Sequence, residues 1–363
     1  MGAKKIALVL SGGAFNGAFQ MGALQYMNTH WAEIFPTYST PMKFDIVTGI
    51  SVGALNGVFV ASERFEELEK FWQKLSDNGA EEVFTSEYID TKSQSDKLEF
   101  RKFSFWKQII LLFKIKKLIK ETKALADIAP LHQKLKDTVT RAAVKTNFKC
   151  GLATLNDQGK YQSFGAEDFS TDEDFQNAIL ASASMPIIWK PVEKITTKNG
   201  TVISNTVDGG IRTVVPLGDA IKDIKLDAAS EYTIIIVNCC STKVDSVDPE
   251  KLKNYNMAEI ALRSVVSISQ NEITNNDSEW FLKINDILAQ LREANINLPI
   301  KAYDFESQSR LPQDILREFK FVLIQPDPEV MGDELVANKK LLDKRTEHGK
   351  EKANKAFSGK TID

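Results

Sequence analysis

The sequence predicts an α/β protein, a β-sheet with helices packed on its faces. Three observations carry that prediction. Short β-rich runs alternate along the chain with longer helical stretches. Residues 6–10 form a fully apolar run of buried-strand type, and residues 44–48 form a second strand that leads at once into a helix-forming run. Internal repeats and Pro- or Ser-rich linkers are lacking, so the 363 residues read as one domain, 1–363, with insertions.

Taken in order, the strand at 6–10 is followed by a helix at about 17–28, and the strand at 44–48 by a helix at 52–61. Residues 148–155 and 160–164 read as strands around the turn Asp157-Gln158-Gly159. Residues 194–197 and 201–204 flank Asn199-Gly200, a strong hairpin signal. Strands at 232–237 and 319–324 complete the set, the latter stopped by Pro326. A helical region at roughly 249–292 separates these last two strands, and a highly charged helix spans 337–357. One segment departs from this pattern. Between 97 and 123, nine Lys and Arg face only Glu99 and Glu121, a local charge of +7. At 100° per residue, Leu111, Leu112, Ile115, Leu118 and Ile119 share one face, and Lys114, Lys116, Lys117, Lys120 and Lys123 take the other. The pattern is a basic amphipathic helix, with Lys114, Lys117 and Lys120 as its candidate membrane-facing cations.

Composition narrows the function classes. The chain is 43% hydrophobic and 26% charged, close to globular averages. Its longest apolar run of helical character, 109–113, is far short of the ~18 residues of a membrane span. Cys150 and the adjacent Cys239-Cys240 include no CxxC, and three distant histidines offer no HExxH, so neither disulfide framework nor metal site is expected. The apolar stretch after Met1 is too short for a signal peptide, and Ile6 stands where myristoylation wants Ser or Thr. The expected setting is cytoplasmic, with peripheral contact to an anionic membrane through the basic segment. Nucleic-acid binding is not expected, because the lysines alternate with an aliphatic face rather than an aromatic reading surface.

Three short motifs carry chemistry. Gly49-Ile50-Ser51-Val52-Gly53 is a GxSxG between a strand and a helix of small residues. Glycines at Gly49 and Gly53 allow a sharp turn that lifts the Ser51 hydroxyl to the helix N-terminus, where the macrodipole favours negative charge. A tight turn with an N-cap serine would read the same way. The first strand ends in Ser11-Gly12-Gly13-Ala14-Phe15-Asn16-Gly17, a glycine-rich loop with outward amides. It is not a Walker A loop, since Ala18-Phe19 follow, and Ala14 sits where a dinucleotide fingerprint needs glycine. What remains is an acyl-transfer oxyanion held by the amides of Gly12, Gly13 and Ala14. A base is also needed. His132 and His348 read as ordinary surface histidines, whereas Asp208, ending a strand before Gly209-Gly210, can act directly if burial raises its pKa.

Together these motifs resemble the patatin-like phospholipase family. Pro130-Leu131, Ala181-Ser182-Ala183-Ser184-Met185-Pro186 before Pro191-Val192, and the pattern around Gly349 and Ala353 add to the likeness, which runs from about residue 4 to 357. The resemblance implies a three-layer α/β/α fold with a mainly parallel central sheet and a helical cap insertion. It implies a cofactor-free serine lipid acyl hydrolase of phospholipase A or lysophospholipase type, with Ser51 as nucleophile, Asp208 as base and Gly12 to Ala14 as oxyanion donors. A transacylase using the same dyad, or a catalytically weak lipid-binding regulatory protein, remains open beside it. Two positions depart from the family: Ala14 replaces a usual third glycine, and Asn16 replaces a usual Arg or Lys. If position 14 is left-handed, alanine costs roughly 1–2 kcal/mol there.

Overall fold

The computed structural model describes residues 3–362 apart from 39, 102–122, 228, 241, 245, 305 and 306. Most of the expected basic helix, including Lys114, Lys117 and Lys120, therefore lies outside the described residues.

The central sheet has eight strands. They are β1 (Lys4–Leu10), β2 (Ile46–Ile50), β3 (Asn147–Thr154), β4 (Tyr161–Phe164), β5 (Val192–Thr196), β6 (Val202–Asp208), β7 (Glu231–Val237) and, after a separate hairpin of β8 (Lys301–Asp304) and β9 (Ser309–Ile315), β10 (Lys320–Ile324). Their order is β10-β7-β1-β2-β3-β6-β5, with β4 also on β3. The run from β10 to β3 is parallel; β6 returns antiparallel to β3, and β5 and β4 pair antiparallel as well. The mainly parallel sheet flanked by helices is the α/β class that the alternating pattern predicts.

Period-two alternation explains the layering. In β1, Ile6, Leu8 and Leu10 enter one core while Ala7 and Val9 enter the other. In β7, Ile235 and Val237 join the first core, and Ile234 and Ile236 the second. A strand buried on both faces must be apolar throughout, which is why residues 6–10 show no polar interruption. The first core is covered by α1 (Gly17–Thr29), the short α2 (Trp31–Ile34), α3 (Val52–Ala61), α4 (Phe65–Asn78), α5 (Ala129–Thr138), α6 (Asp172–Ser182) and, further along the chain, the last helix. The second is covered by α7 (Leu217–Leu226) and by Phe281 of a later helix.

After β7 come α8 (Pro249–Leu252), α9 (Met257–Leu262), wide π-type turns over Arg263–Ser269, and α10 (Gln270–Glu293). Beyond β10 lie α11 (Pro328–Met331) and α12 (Lys339–Phe357). Asn338 caps α12 by accepting the Leu341 amide at 2.9 Å. His348 corrects one expectation. It is buried, not on the surface, and its Nε2 accepts the Asp327 amide at 3.0 Å.

Candidate active site

Strand β2 and helix α3 meet at Ser51, whose backbone sits at φ 54°, ψ −124°. That left-handed value costs a non-glycine residue about 1–3 kcal/mol, and the surroundings hold it there. The turn is too tight for side chains on either flank. A Cβ on Gly49 would lie 2.2 Å from the Gly53 carbonyl oxygen, and one on Gly53 would lie 2.3 Å from the Leu10 carbonyl oxygen. The Ala54 and Leu55 amides donate to the Ser51 carbonyl, so the serine begins α3 directly and its hydroxyl stands at the positive end of that helix.

Asp208 ends β6, one strand away. In register, Ile50 of β2 faces Gly151 of β3, and Leu152 of β3 faces Asp208, so Ser51 and Asp208 stand on either side of β3. The carboxyl is 1% exposed. Its Oδ1 accepts the Gly210 amide at 2.7 Å, while Oδ2 is buried with no hydrogen-bond partner among the described residues. Burial raises the Asp208 pKa to about 7, with the Gly210 amide and the nearby Ser51 hydroxyl pulling the other way. The Ser51 hydroxyl thus acts on the carboxyl, whose Oδ2 accepts no hydrogen bond among the described residues.

The segment from Ser182 to Ser184 ties the two together. The Ser51 amide donates to Ser182 Oγ at 3.1 Å, and the Asp208 amide donates to the Ser184 carbonyl at 3.0 Å. Sequence reasoning used these serines only as part of the family likeness and gave them no task. Their signal was there: two small polar residues at the end of α6, both wholly buried.

The 11–14 loop lies against Ser51, since a Cβ on Gly12 would sit 3.5 Å from Ser51 Cβ. Expectation and geometry part at Gly12. Its amide donates to the Val214 carbonyl at 2.9 Å and is not free for a ligand. The cause is distant in sequence: Asp277 Oδ2 accepts the Val214 and Val215 amides at 2.8 and 3.0 Å, which holds the Val214 carbonyl against the loop. The amides of Gly13 and Ala14 make no hydrogen bond among the described residues. Ala14 does take the left-handed conformation, φ 44°, so the strain that alanine brings to this position is present.

A cavity of about 780 Å³ adjoins these groups, lined among others by Asn16, Cys240, Val266, Gln270, Met331 and Glu334. Gln270 Nε2 would lie 3.5 Å from a Cβ on Gly210, and Asn16 Cβ 3.5 Å from a Cβ on Gly13, so the cavity touches both the Asp208 loop and the 11–14 loop. Asn16 is buried, and its Oδ1 has no hydrogen-bond partner among the described residues. Glu334 presents a sealed Oε1 with no hydrogen-bond partner among the described residues, and burial together with Asp333 raises its pKa to about 8. Leu298 is exposed and does not line this cavity, whereas Leu262 and Val266 of the preceding helical region do. Groups of three or more His, Cys, Asp or Glu able to hold a metal are absent among the described residues.

A strained serine at a strand-to-helix turn thus lies against a glycine loop, with a buried carboxyl across β3. The patatin-like phospholipase family model matches residues 8–221, and the chain belongs to that family of lipid acyl hydrolases. No curated protein matches the chain. Among solved structures, VipD from Legionella pneumophila superposes with a TM-score of 0.37 at 12% identity, over 98% of this chain and 67% of that one. At that score the likeness carries no weight for function. No helix among the described residues is long and apolar enough to cross a membrane.

Proposed function

We propose that the protein hydrolyses acyl esters of lipids, phospholipids or lysophospholipids, through Ser51 and Asp208 without a histidine. Asp208, as carboxylate, takes the Ser51 proton while Oγ attacks the ester carbonyl. The tetrahedral oxyanion is received by the Gly13 and Ala14 amides at the N-terminal end of α3. As the C–O bond breaks, Asp208 returns the proton to the departing alkoxide, leaving an acyl-serine and an alcohol product. Asp208 then deprotonates a water that attacks the acyl-serine, and the proton passes back to Ser51 as the fatty acid leaves.

The observation that carries this reading is the Asp208 carboxyl: buried, with one oxygen fixed by Gly210 and the other unsatisfied beside a strained serine. A carboxyl with a pKa of about 7 accepts a proton far more readily than an exposed one. The adjoining cavity of about 780 Å³ is of a size for an acyl chain.

The test is ester hydrolysis across a lipid panel, with Ser51→Ala and Asp208→Asn prepared as folded proteins. Each variant should lose turnover by roughly 10⁴-fold, the scale of losing a member of a catalytic triad. Either variant keeping its turnover would sink the dyad. Release of free fatty acid by the wild type separates water from an alcohol or thiol as the acyl acceptor.

A further inference from the structure

The peptide unit joining Gly12 to Gly13 is held from one side only. Its carbonyl oxygen accepts three donors: Ser11 Oγ at 2.9 Å, Cys239 Sγ at 3.1 Å and Cys240 Sγ at 3.0 Å. All three side chains are buried. Ser11 Oγ in turn accepts the Cys239 amide at 2.9 Å, which ties the end of β1 to the end of β7. In a trans peptide the C=O and N–H bonds point in opposite directions. A carbonyl gripped by two thiols and a hydroxyl therefore turns the Gly13 N–H away from them, and that amide makes no hydrogen bond among the described residues. The grip also explains the residue at 13. Gly13 has φ 140°, and a Cβ there would lie 2.9 Å from Cys239 Sγ and 3.1 Å from Cys240 Sγ. The thiols occupy the space of the missing side chain.

We infer that Cys239 and Cys240 are positioning residues for ester hydrolysis, a thiol clamp on the Gly12 carbonyl that aims the Gly13 amide at the developing oxyanion. The inference rests on the acyl-hydrolase reading above. Other tasks for the pair fit poorly. Both cysteines are free and buried, and metal-binding clusters are absent among the described residues, so neither a disulfide nor a zinc site accounts for two adjacent cysteines here. The hydrogen bond with Cys239, then burial and the charge of Glu334, keep Cys240 well above the usual thiol pKa, so it remains a protonated donor at neutral pH rather than a nucleophile. Neither thiol needs to touch the substrate. They act through the peptide plane, and the other end of Gly12 is fixed independently by Val214.

The experiment compares wild type with Cys239→Ala, Cys240→Ala, the double alanine variant and the matching serine variants. It measures kcat and KM on a soluble p-nitrophenyl ester. It also measures inhibition by an alkyl trifluoromethyl ketone, which forms a tetrahedral oxyanion adduct, and by a fatty alcohol of equal chain length, which forms none. The double alanine variant should lose about 100-fold in kcat, the scale of a small misplacement at a reacting centre. Its affinity for the ketone should fall in parallel, with KM and alcohol binding unchanged. Serine at either position, which restores a donor, should recover activity to within a few-fold. If the double alanine variant does not fold, the single alanine and serine variants carry the same comparison. The clamp is overturned if kcat and ketone affinity survive loss of both thiols. It is also overturned if they fall together with alcohol binding, or if folded serine variants are no better than alanine. A wild type inert toward both ester and a fluorophosphonate would instead remove the hydrolase reading, and the clamp with it.

Discussion

Burial holds the Asp208 carboxyl near neutrality, and both activity and stability should report it. As a base it must be ionised, so kcat/KM should climb as pH rises through about 7 and level off above, while Ser51 itself contributes no titration in that range. For stability the sign runs the other way. The folded pKa of about 7 stands above the ordinary 3.8, so between roughly pH 4 and 7 the unfolded chain releases a proton that the folded chain still holds. This group's contribution is complete below pH 4 and lost as pH rises through 7. Asp208→Asn should therefore stabilise the protein at pH 8 relative to wild type, by at most about 4 kcal/mol at 1.36 kcal/mol per pKa unit, and do little at pH 4. Urea titrations of both proteins at the two pH values check it; an equal difference at both would refute the linkage. Glu334 loses stability with the same sign toward pH 8, which is why the comparison must be between variants rather than along one profile. Ala14 gives a second residue-scale outcome. At φ 44°, Ala14→Gly should add about 1 kcal/mol of stability, read as a higher urea midpoint with an unchanged slope. The residues with a local signature, Ser51 between its glycines and Asp208 before Gly209-Gly210, could be read from sequence. The occupied Gly12 amide could not, because its acceptor Val214 and the Asp277 that fixes Val214 lie more than two hundred residues away.

At the scale of elements, the strands were more legible than the helices. Strands buried on both faces announce themselves by composition, and β1, β7 and β10 lie within two residues of their expected ranges at each end. Strand β2 runs 46–50 rather than 44–48, with Asp45 just before it accepting the Ile6 amide on its carboxylate at 2.9 Å. The Asn199-Gly200 hairpin forms, but over a longer loop: Thr196 pairs with Val202, and Gly200 takes the left-handed residue at φ 83°. Helices α6 and α7 were not read from sequence. Residues of α6 are buried nearly all round, which erases the 3.6 period, and α7 opens with an exposed Gly218. Helix α4 did carry the period, in Leu68, Trp72 and Leu75, and went unread amid its charges. The strongest long-range consequence is the α1–α12 crossing, which gives a structural task to the Gly349 of the family pattern. A Cβ there would lie 2.0 Å from the Phe19 carbonyl oxygen, and one on Gly22 would lie 1.9 Å from the Thr346 carbonyl oxygen. Backbone cannot yield as a side chain can, so Gly349→Ala should cost at least about 2 kcal/mol, the scale of overpacking. Gly218→Ala, with nothing within 4 Å, should be neutral or stabilising by up to about 1 kcal/mol. Chemical denaturation of both variants decides it, and a Gly349→Ala protein as stable as wild type would mean that the two helices slide apart freely.

For the molecule as a whole, net charge is a poor guide to what surface it meets. The total of −3 combines +7 between residues 97 and 123 with −10 over the rest, so an acidic body carries one concentrated basic segment. Exposed apolar side chains are concentrated too: Met257, Ile260, Ile268, Trp280, Ile287 and Leu298 all fall in the stretch that begins at α9, and α9 and the following π-type turns line the cavity beside Asn16 and Glu334. Apolar burial does not depend on the sign of a lipid headgroup, whereas attraction of Lys114, Lys117 and Lys120 to a membrane does. The two contributions are therefore separable by vesicle co-sedimentation. Phosphatidylcholine vesicles should bind the protein weakly, and Trp280→Ser with Met257→Ser should reduce that binding. Vesicles containing phosphatidylserine should bind more tightly by up to about 3 kcal/mol, at about 1 kcal/mol for each lysine near the surface. That increment should vanish in 1 M salt, where the screening length falls to about 3 Å, and should also vanish on replacing the three lysines by glutamate. Equal binding to neutral and anionic vesicles would remove the electrostatic anchor and leave the exposed apolar side chains of residues 257–298 as the route by which a lipid interface and the Ser51 site are brought together.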